Sequence, residues 1–378
     1  SSAASDVYKR QLLALMVVSG MALMTACSGS SQPEKTTAAQ TAAKEEKAVP
    51  ESTEAPKAEA SEESKEESGG GKVYGYITPG PDTWYQRNVE GFQMGAEKDG
   101  NKVVVLNSDY DVSKEVSNID SMINQGVDGL CIFSFNESGA KIAAEKCAKA
   151  GIPLVSTDSV GTALDNNGND IVAAIDFDWT EMGNNYGQWF ADNCPGENIF
   201  VITGNFESVP CQRINEAMQA KVDELGKNKI IDIQEGEYNP SKAITVAQDA
   251  IASGKDFSVI FVMNEDMAAG IIQMLDSQGV ADQYKVVSQN GSPAGLPLIK
   301  NGKLAYTISS SPGWEGLVSY QVLNQYATGK NTAVQQQVEL PIMPVDQSNI
   351  DDKTKVVPWE VDECYWDLTK EYFPDLVQ

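Results

Sequence analysis

The residues best equipped for chemistry fall in short polar and aromatic clusters, each placed just after an apolar run. They are Asp82, Trp84 and Tyr85; Ser134, Phe135 and Asn136; Asp158; Asn205 and Phe206; Asn264, Glu265 and Asp266; and Gln289 and Asn290. Amides and carboxylates bind hydroxyl groups in pairs, and aromatic faces cover the apolar faces of a ring. The set therefore suits a neutral, hydroxyl-rich small molecule. An anion fits less well, because the basic side chains near these clusters are Arg87 and Arg213. Singly, Asn264 or Asn290 reads equally well as a helix cap or turn residue, Asp266 as a first-turn helix carboxylate, and Trp84 and Tyr85 as a lid on a core. Their recurrence at one end of so many strands favours a binding site.

Other chemistry is excluded by what the chain lacks. No histidine occurs among the 378 residues. That removes Ser-His-Asp and Cys-His nucleophiles, His-ligated zinc and the usual neutral-pH proton shuttle. The expectation is a non-enzyme with no metal and no cofactor; a carboxylate pair of Asp82 and Asp158 is the remaining catalytic option. A formal net charge of −26 argues against nucleic acid, which calls for clustered Lys and Arg. Of six cysteines, Cys131 and Cys147 read as reduced core residues; a disulfide among Cys194, Cys211 and Cys364 is open, and no pairing can be assigned.

The elements that must position these clusters follow a regular order. Val73–Thr78 is an apolar run too short for a helix, broken at Pro79-Gly80-Pro81; Tyr85, Val89, Phe92 and Ala96 then recur at helical spacing. A strand at Val103–Leu106 precedes a helix with Val116, Ile119 and Ile123 on one face, stopped by Gly126. Gly129–Phe133 is a strand, Ala140–Ala150 a helix and Leu154–Ser156 a strand. Ile171–Ile175 opens a second series, with strands near 198–203, 229–233, 258–262, 284–288 and 304–309 and helices between. Such alternation with apolar strands predicts parallel sheets covered on both faces, in two lobes. Ligands of open parallel sheets sit in the loops at the carboxyl ends of the strands.

The chain before residue 72 is of another kind. Residues 1–11 do not begin with Met, and Asp6–Gln11 resembles a translated transposon end from a sequencing library, so they are set aside. Leu12–Met24 is apolar but short for a bilayer span. The stretch Leu23-Met24-Thr25-Ala26-Cys27 resembles the lipobox of bacterial lipoprotein signal peptides, which implies a lipid on Cys27 and residues 1–27 as signal peptide. Residues 28–71 are Ser, Thr, Ala, Glu, Lys, Pro, Gln, Val and Gly without an aromatic, a composition that predicts a disordered acidic tether.

From Lys72 to Val338 the chain resembles the periplasmic sugar-binding proteins of the ribose/galactose type, substrate-binding components of ABC importers. The matching pieces are QGVDGLCIF from Gln125, AGIPLVSTD from Ala150, VIFVMNEDMAAG from Val259, VVSQNGSP from Val286 and NGKLAYTISSSPG from Asn301. The resemblance implies two Rossmann-like lobes of the type I periplasmic binding protein, joined by a three-segment hinge near Ile175–Asp178, Ser310–Pro312 and Val338–Pro341. It places residues 72–175 and 311–340 in the N-terminal lobe, and 176–310 with the tail 341–378 in the C-terminal lobe. By the same resemblance Asp82, Trp84, Tyr85 and Asp158 contact ligand from the first lobe, and Phe135 joins them as a candidate from its cluster after a strand. Tyr238, Asn264 and Asn290 do so from the second, with Ser310 at the hinge and Arg213 bracing the cleft; Asp266 is a further candidate contact that a first-turn helix carboxylate explains equally well. Three departures bear on the ligand: Ser159 follows Asp158 where ribose binders have Arg, Asn290 replaces an Asp, and Cys211 replaces an Arg. They weaken ribose itself and leave a sugar-like ligand. The implied protein is a monomer, lipid-anchored outside the cell membrane (or in a periplasm), handing a sugar or polyol to an ABC permease. The alternative is a sensory lipoprotein presenting its ligand to a membrane receptor. A transcription regulator on the same core would need an N-terminal helix-turn-helix, where this chain has a signal peptide and linker. The tail from Pro344 reads as a structural appendix without chemistry.

Overall fold

Strand β1 (Val73–Thr78) is buried along nearly its whole length because both of its faces are covered. The computed structural model describes residues 71–134, 137–157, 171–352 and 354–376; Cys27 with the rest of 1–70, Phe135, Asn136 and Asp158 lie outside these. After β1 come helix α1 (Thr83–Lys98), β2 (Lys102–Asn107), α2 (Val112–Gln125), β3 (Gly129–Phe133), α3 (Glu137–Ala150), β4 (Leu154–Thr157) and β5 (Ala173–Phe177). The second series is α4 (Trp179–Asn193), β6 (Asn198–Thr203), α5 (Val209–Leu225), β7 (Lys229–Glu235), α6 (Pro240–Ala252), β8 (Val259–Val262), α7 (Glu265–Gln278) and β9 (Lys285–Ser288). Then follow α8 (Leu296–Lys300), β10 (Thr307–Ser309), α9 (Pro312–Ala327), β11 (Gln336–Leu340), β12 (Met343–Val345) and α10 (Cys364–Tyr372).

The strands form two all-parallel sheets in two lobes, in the orders β11-β5-β4-β3-β1-β2 and β7-β6-β8-β9. Every β–α loop at the carboxyl end of a strand thus faces one edge of its sheet, where the polar clusters lie. Three local readings change. The strand at Ala173–Phe177 joins the first sheet between β4 and β11 instead of opening the second. The strand expected over 304–309 shortens to β10; this stretch runs beside β9 through parallel bridges from Val287 to Tyr306 and from Asn290 to Ser309, and β10 also pairs antiparallel with β12. The buried face of α2 carries Glu115, Asn118, Ile119 and Met122, a face rotated from the purely apolar one, because buried Glu115 accepts a hydrogen bond from Ser134 Oγ at 2.9 Å.

Five helices start at an Asp, Asn or Ser whose side chain caps the first turn, while Asp82 and Ser208 stand at N-caps without such a bond. Asp111, Asp178, Asn239, Asn264 and Ser311 each accept a backbone N–H from the first turn of α2, α4, α6, α7 and α9. Helix α9 is buried on nearly all sides: α1 packs on it so closely that a Cβ on Gly91 would lie 1.8 Å from Gly313 O, and one on Gly316 1.9 Å from Asn88 O. Glycine permits that backbone contact, and the edge-to-face cluster of Tyr74, Tyr76, Phe92 and Tyr320 fills the space beside it.

The chain passes between lobes after β5, between β10 and α9, and between β11 and β12. The tail does not sit on one lobe alone. After β12 pairs with β10, α10 packs on α9, where Trp314 Nε1 donates to Thr369 Oγ1 at 2.9 Å and Trp314 meets Tyr372 edge-on. Cys131, Cys147, Cys194, Cys211 and Cys364 are all free thiols. Among the described residues no helix is long and apolar enough to cross a membrane.

Candidate functional site

Asp82 stands at the N-cap of α1, yet its carboxylate makes no cap hydrogen bond. It instead accepts the hydroxyl of Tyr110, from the loop between β2 and α2. Tyr110 and its neighbour Asp109 hold left-handed backbone at φ 58° and 50°, and the Tyr110 ring lies where a Cβ on Gly80 would go. Non-glycine residues in this region cost on the order of 1 kcal/mol or more each, so the loop is held in place by its contacts. Tyr85 meets Phe133 edge-on at 4.7 Å and Tyr110 at 6.2 Å. One exposed carboxylate thus sits beside three aromatic rings at the carboxyl ends of β1, β2 and β3.

The second lobe repeats this device. Glu237 and Tyr238, after β7, hold φ 53° and 52°, and the Tyr238 ring lies where a Cβ on Gly204 would go. Tyr238 Oη lies 3.0 Å from Cys211 Sγ. Tyr238 is 41% exposed, yet burial, followed by the neighbouring Cys211, pushes its phenol pKa well above the usual range, and Tyr85 adds to the shift from the other lobe. A side chain that is open to solvent on one side and surrounded by protein on the other lies at the rim of its loop. Tyr110 behaves alike: it is 45% exposed, and burial, then the bond to Asp82, raises its pKa.

Asn290, after β9, has φ 125°, a conformation that favours glycine, so its loop needs an anchor. Glu265, fully buried at the start of α7, supplies one: it accepts from Gly291 N at 3.0 Å, Ser292 N at 2.5 Å and Thr307 Oγ1 at 2.6 Å. Burial raises the Glu265 pKa to about 7, against the lowering effect of these donors. Ser310 is buried; its N–H donates to Asn290 O at 2.9 Å, and its hydroxyl accepts from Gln289 Nε2 at 3.4 Å. Asn264 caps α7 through Oδ1, 3.0 Å from Met267 N, leaving its Nδ2 donors without a partner among the described residues. Asp266 is on the exposed side of the same turn and Arg213 is half-buried on α5.

Trp84 is half-buried, edge-on to Phe177 at 6.3 Å and to Trp359 at 5.2 Å. Trp359 Nε1 donates to Asn290 O at 3.2 Å, so a tail residue touches a predicted contact from each lobe. The structure therefore links Asp82 and Tyr85 through Tyr110, sets Tyr238 in a like loop of the second lobe, and links Trp84, Asn290 and Ser310 through Trp359 and the backbone of Asn290. Asn264 and Asp266 lie in the first turn of α7 and Arg213 in α5, and Phe135 and Asp158 lie outside the described residues.

Tyr110 and Trp359 are absent from the sequence-based set, and Glu265 appears there only as a member of a polar cluster, with no role given to it. A signal for Tyr110 is present: Asp109-Tyr110-Asp111-Val112-Ser113-Lys114 is repeated as Glu237-Tyr238-Asn239-Pro240-Ser241-Lys242, with the ion pairs Lys114–Asp109 and Lys242–Glu237 in matching places. No spacing points to Trp359. A groove of about 550 Å³ between α1 and the tail, lined by Glu90, Met94, Glu97 and Glu363 among others, lacks aromatic faces and is no counterpart of this site. Among the described residues no group of three or more Cys, Asp or Glu is placed to hold a metal ion.

A family model described as periplasmic binding protein domain matches residues 74–331. The ribose import binding protein RbsB of Salmonella typhimurium is 26% identical over 255 residues, covering 67% of this chain and 84% of that protein. The fructose import binding protein FruE of Bifidobacterium longum is 23% identical over 287 residues, covering 74% and 86%. Among solved structures, an ABC transporter solute binding protein from Bacillus halodurans with bound myo-inositol superposes with TM-score 0.70 at 19% identity, covering 76% of this chain and 98% of that one. The arabinose-binding component from Shewanella superposes with TM-score 0.65 at 20% identity, covering 74% and 94%. At such identities the structural likeness establishes the fold.

Proposed function

The chain belongs to the periplasmic binding protein domain family, and from that premise we propose that it is the extracytoplasmic solute receptor of an ABC importer for a sugar or polyol. The observation that supports the ligand class is a pair of like loops, one in each lobe: Asp82 bonded to Tyr110 with Tyr85 beside that ring in the first, and Tyr238 against Cys211 in the second. Ligand bridges the two edges, so the closed arrangement of lobes is stabilised by whatever differential contact the ligand makes there. Trp84, Tyr85 and Tyr238 offer ring faces, while Asp82, Asn264 and Asn290, with Asp158, offer hydroxyl partners. Asp266, Arg213, Phe135 and Ser310 complete the proposed wall. No bond need form or break.

A thermal-shift panel of D-ribose, D-xylose, D-fructose and myo-inositol tests the reading, since a ligand that binds only the folded form raises the melting temperature. In calorimetry with the sugar that stabilises the wild type, Trp84→Ala is expected to weaken binding by about 1–3 kcal/mol, the cost of a lost aromatic contact. Unchanged affinity would move the site elsewhere. The import role is favoured over sensing because the relatives are import components.

We further propose that Cys27 carries a lipid and that residues 28–71 tether a monomeric receptor to the outer face of the cell membrane. The support is the lipobox-like stretch ending at Cys27 and the polar, aromatic-free composition of residues 28–71. A two-chain lipid is needed for lasting membrane attachment. Metabolic labelling with a palmitate analogue should mark the wild-type protein and not Cys27→Ser; label on the variant refutes the anchor.

A further inference from the structure

The segment after β12 returns to the hinge once more. Val357 N donates to Ser309 Oγ at 3.2 Å, and Ser311 Oγ donates to Pro358 O at 2.5 Å. Tyr365 Oη, buried, lies 2.7 Å from Pro358 O and 2.9 Å from Glu360 O, clamping the turn from below. Trp359 is 7% exposed, with its ring edge-on to Trp84 and its Nε1–H on Asn290 O. Glu360 pairs with Arg87 of α1 at 3.7 Å. One short piece of chain is therefore bonded to the hinge between β10 and α9, to a ligand loop of the second lobe and to α1 of the first. It lies beyond residue 331, where the family match ends.

We propose that Val357–Glu360 is a fourth link between the lobes and that Trp359 is a positioning residue of the ligand site, holding Trp84 of one lobe and Asn290 of the other in register. The proposal rests on the sugar-binding reading for its consequence, but the link itself is independent of which ligand binds. Trp359 acts by geometry at both ends. Its ring limits the orientations open to Trp84, and its N–H fixes the carbonyl of a residue whose φ of 125° is otherwise unfavourable. Loosening either end costs affinity because ordering the loop is then charged to each binding event.

The test uses the full chain and three variants: Trp359→Ala, Trp359→Phe and, as control, Trp366→Ala. Trp366 lies in the same tail, under the Lys98 ammonium 3.4 Å from its ring centre, away from the ligand loops. Hydrogen exchange read by mass spectrometry needs no ligand. Trp359→Ala should speed exchange in peptides covering Thr83–Gln86 and Asn290–Ser292; Trp359→Phe, which keeps a ring but lacks the N–H, should do so mainly in the second; Trp366→Ala should do so in neither. Titration with the best-stabilising member of the four-sugar panel should show Trp359→Ala weakened about ten-fold or more, a difference near 1.4 kcal/mol, Trp359→Phe less, and Trp366→Ala unchanged although it melts lower. Wild-type exchange at both peptides in folded Trp359→Ala overturns the link. Equal weakening by Trp366→Ala overturns the positioning role, since the tail would then act through stability alone. If none of the four sugars binds the wild type, the ligand class proposed above fails, and the exchange result still decides the link.

Discussion

Asp82 occupies a cap position without capping, while five other caps in the structure do what their residue type prescribes. The Tyr110 hydroxyl holds its carboxylate away from the helix N-terminus, where it would otherwise accept an N–H of the first turn. Tyr110→Phe removes that hydroxyl and keeps the ring. The freed carboxylate should fall back onto α1, so the fold should hold or gain stability while sugar affinity drops by about 1 kcal/mol, the scale of one hydrogen bond. Calorimetry and thermal melts on the same variant check both halves. Loss of stability in step with affinity would mean that Tyr110 is a packing residue only. Nothing in Tyr110 alone announces this role, because it is one exposed tyrosine in an acidic loop. What makes it legible is its repeat at Tyr238.

The strand–loop–helix unit is where sequence and structure agree most closely, and where their differences have physical causes. Apolar runs specify β1, β3 and β8, and Asn264 caps the helix after β8, because each signal is local. The placement of Ala173–Phe177 in the first sheet is not local: strand order depends on which lobe a strand pairs with. Trp359 and Glu265 act through partners 69 and 26 residues away, so periodicity cannot find them. The twin loops make their own prediction. A Cβ on Gly204 would lie 2.3 Å from the Tyr238 ring, and one on Gly80 2.1 Å from the Tyr110 ring. Gly204→Ala should displace Tyr238 from Cys211 and weaken sugar binding, with a stability cost of about 1–3 kcal/mol from overpacking. In a Tyr238→Ala background the same change should cost far less, and the double-mutant cycle measures the coupling. Additive effects would show that the ring and the glycine do not meet.

At the scale of the whole molecule, the charge of −26 and the lack of histidine make the pH response unusually readable. No imidazole titrates between pH 5 and 8, so a protonation step there belongs to a perturbed group. Glu265 is such a group, with burial raising its pKa from 4.5 to about 7. The folded protein therefore keeps a proton that the unfolded chain releases. Glu265's contribution to stability is complete below about pH 4.5, falls as pH rises through about 7, and is flat above. A shift of this size amounts to roughly 3 kcal/mol at most. Self-repulsion among the other carboxylates acts in the same direction, which is why the wild-type slope alone proves nothing. Glu265→Gln separates the two. The variant should be less stable overall, because an amide NH₂ cannot accept the N–H of Ser292 or Gly291, yet its denaturation midpoint should change less between about pH 5 and 7. Equal slopes in urea melts of the two proteins would place the proton elsewhere.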